Sequence, residues 1–362
     1  MSKLDNARKE INCIDKQIAS LFEKRMDAVG KVAEYKREHG IPVEDKLREQ
    51  AIIENNSGFI HNEEYKPYYI NFQNALMDVS KSYQHRLLDG MRLAFSGTSG
   101  AFANIAAAKI LPDAECIGYS DFSAAYDSVV KGECDSVLLP LENSVGGDVG
   151  TVMDLCFFGP LFVNGIYEAD IIQNLLAVKG ATIDEIKTVI SHPQALSQCA
   201  EYIKKHSFEQ IEAVNTAVAA KHVSEQSRHD LAAIGSTLAA EQFGLNVLES
   251  HINQSNTNTT RFAMLSRAAK APSESDNRFI MLFTVKNVAG ALGKAVSIIG
   301  EHGFNLRALK SRPTKELVWN YYFYAEGEGN INSVSGKEML LELKGCCSDI
   351  KVLGSYEKEI HL

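Results

Sequence analysis

The chain has 362 residues, 45% of them hydrophobic and 23% charged, with a net charge of -9. Such a composition predicts a soluble globular protein of two or three domains, and its acidity argues against general binding to nucleic acid or anionic membranes. No apolar run nears the roughly 20 residues of a membrane span. The start, Met1-Ser2-Lys3-Leu4-Asp5-Asn6, lacks a signal-peptide core, so a cytoplasmic protein is expected. The seven cysteines are scattered among apolar neighbours, and the ten histidines show no paired spacing with acids or thiols. Reduced thiols and no metal site are expected.

From Leu4 to Glu38 the positions Ile11, Ile14, Ile18, Leu21, Phe22, Val29 and Val32 recur at helical spacing and predict one uninterrupted helix. At 1.5 Å per residue it would run to roughly 50 Å, too long to bury its apolar stripe against itself. Gly40-Ile41-Pro42 ends it, and further helices are predicted from about Glu44 to Asn55 and from Tyr68 to about Leu88. Three such helices point to an intertwined helical dimer. Arg25 and Lys36 share a face about three turns apart, with Arg8 roughly 100° off it. Asp45, Arg48 and Glu49 converge at i, i+3 and i+4, as do Ser80 and Gln84 at i and i+4. Cations on a partly internal stripe read as a seat for a small polyanion; the competing reading is a solvated face with surface ion pairs.

The ordered run Arg8, Asp15, Arg25, Lys36, Asp45-x-x-Arg48-Glu49 and Ser80-x-x-x-Gln84 resembles the all-helical chorismate mutase family over residues 4 to 88. The resemblance implies two molecules sharing each site, with Arg8 reaching across to the partner's pocket. It implies that Arg8, Arg25 and Arg48 hold carboxylates of chorismate and that Lys36 and Gln84 face its ether oxygen. Glu49 would take a substrate hydroxyl, with Asp45 and Ser80 in support. The conversion to prephenate is pericyclic, so a held conformer and donors at the oxygen that gains negative charge suffice. Bidentate recognition of carboxylates accounts for the preference for arginine.

After Asp89-Gly90 the pattern changes to short apolar runs alternating with helical stretches, which predicts an α/β domain. Met91–Phe95 reads as a strand, Ser96-Gly97-Thr98-Ser99-Gly100 as a glycine-rich turn, and Ala101–Leu111 as a helix whose first N–H groups can seat an anion. Neither a dinucleotide fingerprint nor a Walker lysine is present, and no cofactor is inferred. Strand Val137–Leu141 opens into Glu142-Asn143-Ser144-Val145-Gly146-Gly147, and Thr188–Ile190 opens into Ser191-His192-Pro193-Gln194. The polar segment Asn256-Thr257-Asn258-Thr259-Thr260-Arg261 feeds the apolar run Phe262–Leu265. Four polar clusters at strand ends predict a ligand crevice, whereas any one alone would read as a turn.

The glycine-rich turn, the Glu-Asn-Ser-x-x-Gly turn, the Ser-His-Pro-Gln turn and Thr260-Arg261-Phe262 follow the order seen in prephenate dehydratases, and the resemblance covers residues 91 to 267. It implies two α/β lobes, like a periplasmic binding protein, placed at about 91–167 plus 246–267 and at 168–245. Prephenate loses a ring hydroxyl and CO2 together, so a proton donor is needed at the hydroxyl, and the resemblance makes Thr260 the leading candidate. Arg261 or a relay through Glu142 would strengthen a weakly acidic threonine. Asn143, Ser144, Gln194, Thr98 and Ser99 would orient the anion, and His192 is either a titrating group or structural. At the first turn Ala101 stands where many relatives carry serine or threonine.

Lys270–Asn277 reads as a polar, proline-containing linker. Beyond it a βαββαβ order is predicted, with strands at 279–285, 304–312, 317–325 and 350–356 and helices at 291–302 and about 333–344. Val288-Ala289-Gly290-Ala291-Leu292 and Ser311-Arg312-Pro313 resemble the phenylalanine-binding motifs of ACT regulatory domains, although Lys310 stands where relatives commonly carry an acid. The resemblance implies an α+β ferredoxin-like module binding L-phenylalanine between two copies, near Gly290, Asn305 and Leu306. The combined expectation is a bifunctional enzyme of phenylalanine biosynthesis acting on chorismate and prephenate, inhibited by L-phenylalanine and assembled as a homodimer or a tetramer. The alternatives are a dehydratase whose helical module only dimerises, or a non-enzymatic sensor of an aromatic acid.

Overall fold

The computed structural model describes residues 2–255, 257–314 and 321–362. The chain divides into two compact units, one up to Arg92 and one from Leu93. Among the described residues no helix is long and apolar enough to cross a membrane.

The first unit is helical: α1 (Lys3–His39), α2 (Lys46–Ser57) and α3 (Lys66–Asp89). A capping box opens α1, with Ser2 Oγ accepting from Asp5 N (3.1 Å) and the Asp5 carboxylate accepting from Ser2 N (2.9 Å). Gly40, at φ 64°, closes it in the left-handed region, where a residue without Cβ costs least. Ile11, Ile14, Ile18, Leu21 and Phe22 remain exposed along α1, as the predicted length requires.

The first lobe of the second unit comprises β1 (Arg92–Ser96), α4 (Phe102–Ile110), β2 (Glu115–Tyr119), α5 (Phe122–Val130) and β3 (Ser136–Asn143), followed by β4 (Gly147–Asp148), α6 (Gly150–Phe158) and β5 (Phe162–Asp170). The second lobe begins with β6 (Asn174–Ala177), β7 (Thr188–Ser191), α7 (Pro193–Gln198), α8 (Ala200–Lys205) and β8 (Glu209–Glu212). It ends with α9 (Thr216–Gln226), β9 (Leu231–Gly235), α10 (Thr237–Phe243) and β10 (Asn246–Glu249). The chain then returns to the first lobe as β11 (Thr259–Ser266), antiparallel to both β3 and β5. The lobe boundary expected from sequence is corrected here. β10 pairs with β6, Asn246 opposite Ala177, because Val247 and Leu248 pack into the second lobe's cores.

The C-terminal part is β12 (Arg278–Val285), α11 (Ala291–Glu301), β13 (Asn305–Pro313), β14 (Tyr321–Glu328), α12 (Val334–Leu343), β15 (Cys347–Tyr356) and β16 (Ile360–His361). Its antiparallel sheet has the order β13-β14-β12-β15, a ferredoxin-like arrangement. The strand expected from Leu317 begins outside the described residues, as does Asn256 of the polar segment; the described strand starts at Tyr321. The unbroken run Phe279–Phe283 reflects a strand covered on both faces. Phe279, Met281 and Phe283 pack under α11 and α12, while Ile280 and Leu282 join the first lobe's core with Tyr322, Tyr324 and Leu353. Period-2 alternation thus mounts this module on the back of the first lobe. The polar linker is fixed as well, since buried Asp276 accepts from Lys270 Nζ (3.0 Å), Ser355 Oγ (2.7 Å) and Ser273 N (3.2 Å).

Candidate active sites

In the helical unit, Arg25 and Lys36 from α1, Asp45, Arg48 and Glu49 from the start of α2, and Ser80 and Gln84 from α3 line one cavity of about 250 Å³. Val29, Val32, Ile52 and Met77 supply its apolar wall. The polar groups are held in place. Arg25 donates to Ser80 Oγ, which in turn donates to Leu76 O (2.6 Å), and Lys36 Nζ donates to Val43 O (2.8 Å). Asp45 caps α2 by accepting from Arg48 N (3.0 Å). Gln84 is buried, its Oε1 has no hydrogen-bond partner and its Nε2 reaches Ser80 O only at 3.4 Å, so the amide is free to turn toward a ligand.

Arg8 is the predicted residue that the fold does not bring to this cavity. It lies 17 positions before Arg25 on α1, about 25 Å along the axis. Lys81 is the residue that sequence reasoning passed over. It lines the same cavity and pairs with Glu49 Oε2 and Asp78 Oδ1, each at 3.1 Å. Burial works against its ammonium, but the bonds to Asp78 and Glu49 outweigh that and raise its pKa above the ordinary lysine value. The signal was available, because Met77, Ser80, Lys81 and Gln84 form an i, i+3, i+4, i+7 stripe.

Between the two lobes lies a second cavity of about 320 Å³, lined by Asn143 and Thr260 from the first lobe and by His192 and Gln194 from the second. β3 and β11 set Asn143 directly opposite Thr260. The buried Asn143 amide donates to Thr260 Oγ1 (2.9 Å) and Asn258 Oδ1 (2.9 Å), and its own Oδ1 accepts from Gly146 N (2.7 Å) and Val145 N (3.1 Å). Because Thr260 accepts from Asn143, its own O–H is left to donate into the cleft. Gln194 reaches over from α7 to the turn at Gly146, where a Cβ would collide with its amide. His192 caps α7, its Nδ1 accepting from Gln194 N (3.2 Å), and its ring also lines the cleft.

Several predicted residues stand elsewhere. Arg261 and Glu142 point behind the sheet, because neighbours along a strand alternate faces. Arg261 there pairs with Glu142 (3.2 Å) and Glu326 (2.8 Å). Burial opposes its charge, yet Glu326 more than compensates and raises its pKa. A relay from Glu142 or Arg261 into the cleft is therefore not built. Ser144 ties down the return segment, donating to Thr257 O (2.8 Å) and accepting from Thr259 N (3.0 Å). Ser99 donates to Gln242 in the second lobe (3.0 Å), and Thr98 is exposed; the turn instead offers Ser96, Gly97 and Ala101 to the cleft. Residues not foreseen there are Ser120, Gln173, Gln198 and Asn215. Gln173 donates to Gln198 Oε1 (3.3 Å), and Gln198 sits one helical turn beyond Gln194, which was a readable signal.

In the C-terminal module, Gly290 (φ 84°) precedes α11, with Ala291 and Leu292 in its first turn. Ser311, Arg312 and Pro313 end β13, while Asn305 and Leu306 begin it, about 20 Å away at the strand's other end. Arg312 does not face an open ligand site. It grips Asp154 of α6 through Nε (2.8 Å) and Nη2 (3.1 Å), because its place in the alternation turns it toward the first lobe. Lys310, on the same face, pairs with Glu142 (3.3 Å) and Asp148.

Profiles described as chorismate mutase type II and as prephenate dehydratase match residues 7–85 and 93–270 respectively. The chain is 30% identical to the bifunctional chorismate mutase/prephenate dehydratase of Buchnera aphidicola, over 97% of this chain and 96% of that one. It is 31% identical to arogenate dehydratase 2 of Petunia hybrida, over 74% of this chain and 72% of that one. The solved prephenate dehydratase of Arthrobacter aurescens in complex with L-Phe superimposes with a TM-score of 0.69 at 28% identity, covering 74% of this chain and 90% of that one. An all-helical mutase region followed by a two-lobed α/β dehydratase region defines a two-activity enzyme. The chain belongs to the bifunctional chorismate mutase/prephenate dehydratase family, whose two steps take chorismate to prephenate and prephenate to phenylpyruvate in L-phenylalanine biosynthesis.

Proposed function

We propose that the cavity of the helical unit is the chorismate site and that the interlobe cleft is the prephenate site. The domains would be residues 1–89, 90–268 and 277–362. The observation that carries the first assignment is the convergence of Arg25, Lys36, Arg48, Glu49, Ser80 and Gln84 from three helices on one small cavity. Arg25 and Arg48 hold the substrate's carboxylates, and Lys36 and Gln84 donate to the ether oxygen as its bond breaks. Arg8 serves the site of a second copy. The exposed α1 stripe and the apolar hollow lined by Ile18, Phe22, Phe72 and Leu76 support a homodimer in which that exchange is made.

In the cleft, Thr260 protonates the departing ring hydroxyl while Asn143 donates to its oxygen, and aromatisation drives the loss of CO2. Gln194 orients the anion from the opposite lobe. The C-terminal module acts as an ACT domain through which L-phenylalanine inhibits the dehydratase, a reading supported by the βαββαβ order, the Gly290 turn and the L-Phe held by the Arthrobacter protein. Gly290–Leu292 and Asn305–Leu306 would meet only across two copies.

The test is the whole protein assayed from chorismate to phenylpyruvate, with and without L-phenylalanine. Thr260→Ala is expected to lower phenylpyruvate output from prephenate by about a hundredfold or more, with chorismate consumption intact. Unchanged output would remove Thr260 from this role. A folded protein that leaves chorismate untouched would overturn the mutase half.

A further inference from the structure

Two carboxylates, those of Asp45 and Glu49, line the cavity of the helical unit where a dianionic substrate must bind. Asp45 is committed to capping α2. Glu49 is different, since its side chain lines the cavity and its Oε2 is taken by Lys81 at 3.1 Å. Lys81 is itself fixed from behind by Asp78, three residues earlier on α3, also at 3.1 Å. Glu44, the other nearby acid, is held by His85 Nε2 at 2.9 Å and meets the ammonium only through a longer-range attraction. Neither partner of the Lys81–Glu49 pair is widely exposed, at 27% for each side chain, so the contact is only partly screened by water.

We propose that Lys81 is a positioning residue of the mutase reaction: it holds Glu49 Oε2 and offsets its charge, leaving Oε1 to accept the substrate's ring hydroxyl. This rests on reading the cavity as the chorismate site. Without the lysine, Glu49 would repel a dicarboxylate and lose its fixed orientation. With it, the glutamate's charge is offset at Oε2 by an ammonium that it shares with the more exposed Asp78. The substrate hydroxyl is bound equally in the ground and transition states, so the effect falls on KM rather than on kcat.

Steady-state chorismate consumption by the full-length protein tests this. Lys81→Met is expected to raise KM about tenfold with kcat within about twofold of wild type, and Lys81→Arg to restore most of the loss. On a Glu49→Gln background Lys81→Met should cost nothing further, because the charge it offsets is gone. A penalty undiminished on that background, or a loss confined to kcat, would overturn the inference while leaving the cavity's assignment standing. Glu49→Ala, which removes the acceptor itself, would overturn both if its kinetics were wild-type. Should Lys81→Met melt early, Lys81→Gln, which keeps a polar head, takes its place in the same cycle.

Discussion

A threonine hydroxyl is a weak acid, and what makes Thr260 serviceable is the side chain opposite it. Asn143 spends its amide hydrogens on Thr260 Oγ1 and Asn258 Oδ1, and its carbonyl on the N–H groups of residues 145 and 146. Asn143→Asp preserves the shape and the two backbone bonds. It reverses the polarity toward Thr260, whose proton would then point to the new carboxylate rather than to the leaving hydroxyl. Asn258 can adapt by turning its buried, unpartnered Nδ2 toward the new oxygen, so the fold survives. We expect dehydratase kcat to fall about a hundredfold, with KM also raised by a second anion beside the substrate. Melting should change little. Stopped turnover in a protein that melts like wild type is the outcome to look for; retained kcat would mean the Asn143–Thr260 bond is incidental.

At the scale of elements, the C-terminal sheet is seated on the first lobe through a position with no room for a side chain. Gly354 of β15 lies against the Val163 carbonyl of β5, and a Cβ there would overlap backbone, which cannot swing aside as a flexible side chain could. Gly354→Ala should therefore push the module off the lobe and destabilise the second unit by about 2 kcal/mol or more, read as a lowered melting transition. A variant that melts with wild type would show the interface to be loosely packed. Helix positions and the βαββαβ order were legible because α1 carries a helical period and β12 is a short apolar run that follows a polar linker. Register was not. Whether Arg261 faces the cleft or the module depends on its pairing with Glu142 across β3, and that partner lies 119 residues away. For the same reason β10 could not be assigned to the right lobe, since Val247 and Leu248 suit either core until β6 is seen beside them.

Across the molecule, Arg261 is where the lobe, the module and the C-terminal segment meet. Its guanidinium lies within 4.0 Å of four carboxylates, those of Glu142, Glu168, Glu326 and Glu359, which come from β3, β5, β14 and the turn before β16. Glu326 is almost wholly buried, its side chain 4% exposed, and takes two contacts from this arginine at 2.8 and 3.2 Å. Removing the cation leaves that carboxylate desolvated among other acids, the situation in which breaking a buried pair costs about 3–5 kcal/mol. Arg307 and Lys310 stand close enough to soften the loss, through Glu359 and Glu142 respectively. Arg261→Met should lower the second unit's melting temperature by on the order of 10 °C. Arg261→Met combined with Glu326→Gln should recover part of that, because the double variant no longer buries an uncompensated charge. Simple additivity of the two losses, measured by calorimetry, would show that Arg261 stabilises the junction through packing of its stem rather than through its charge.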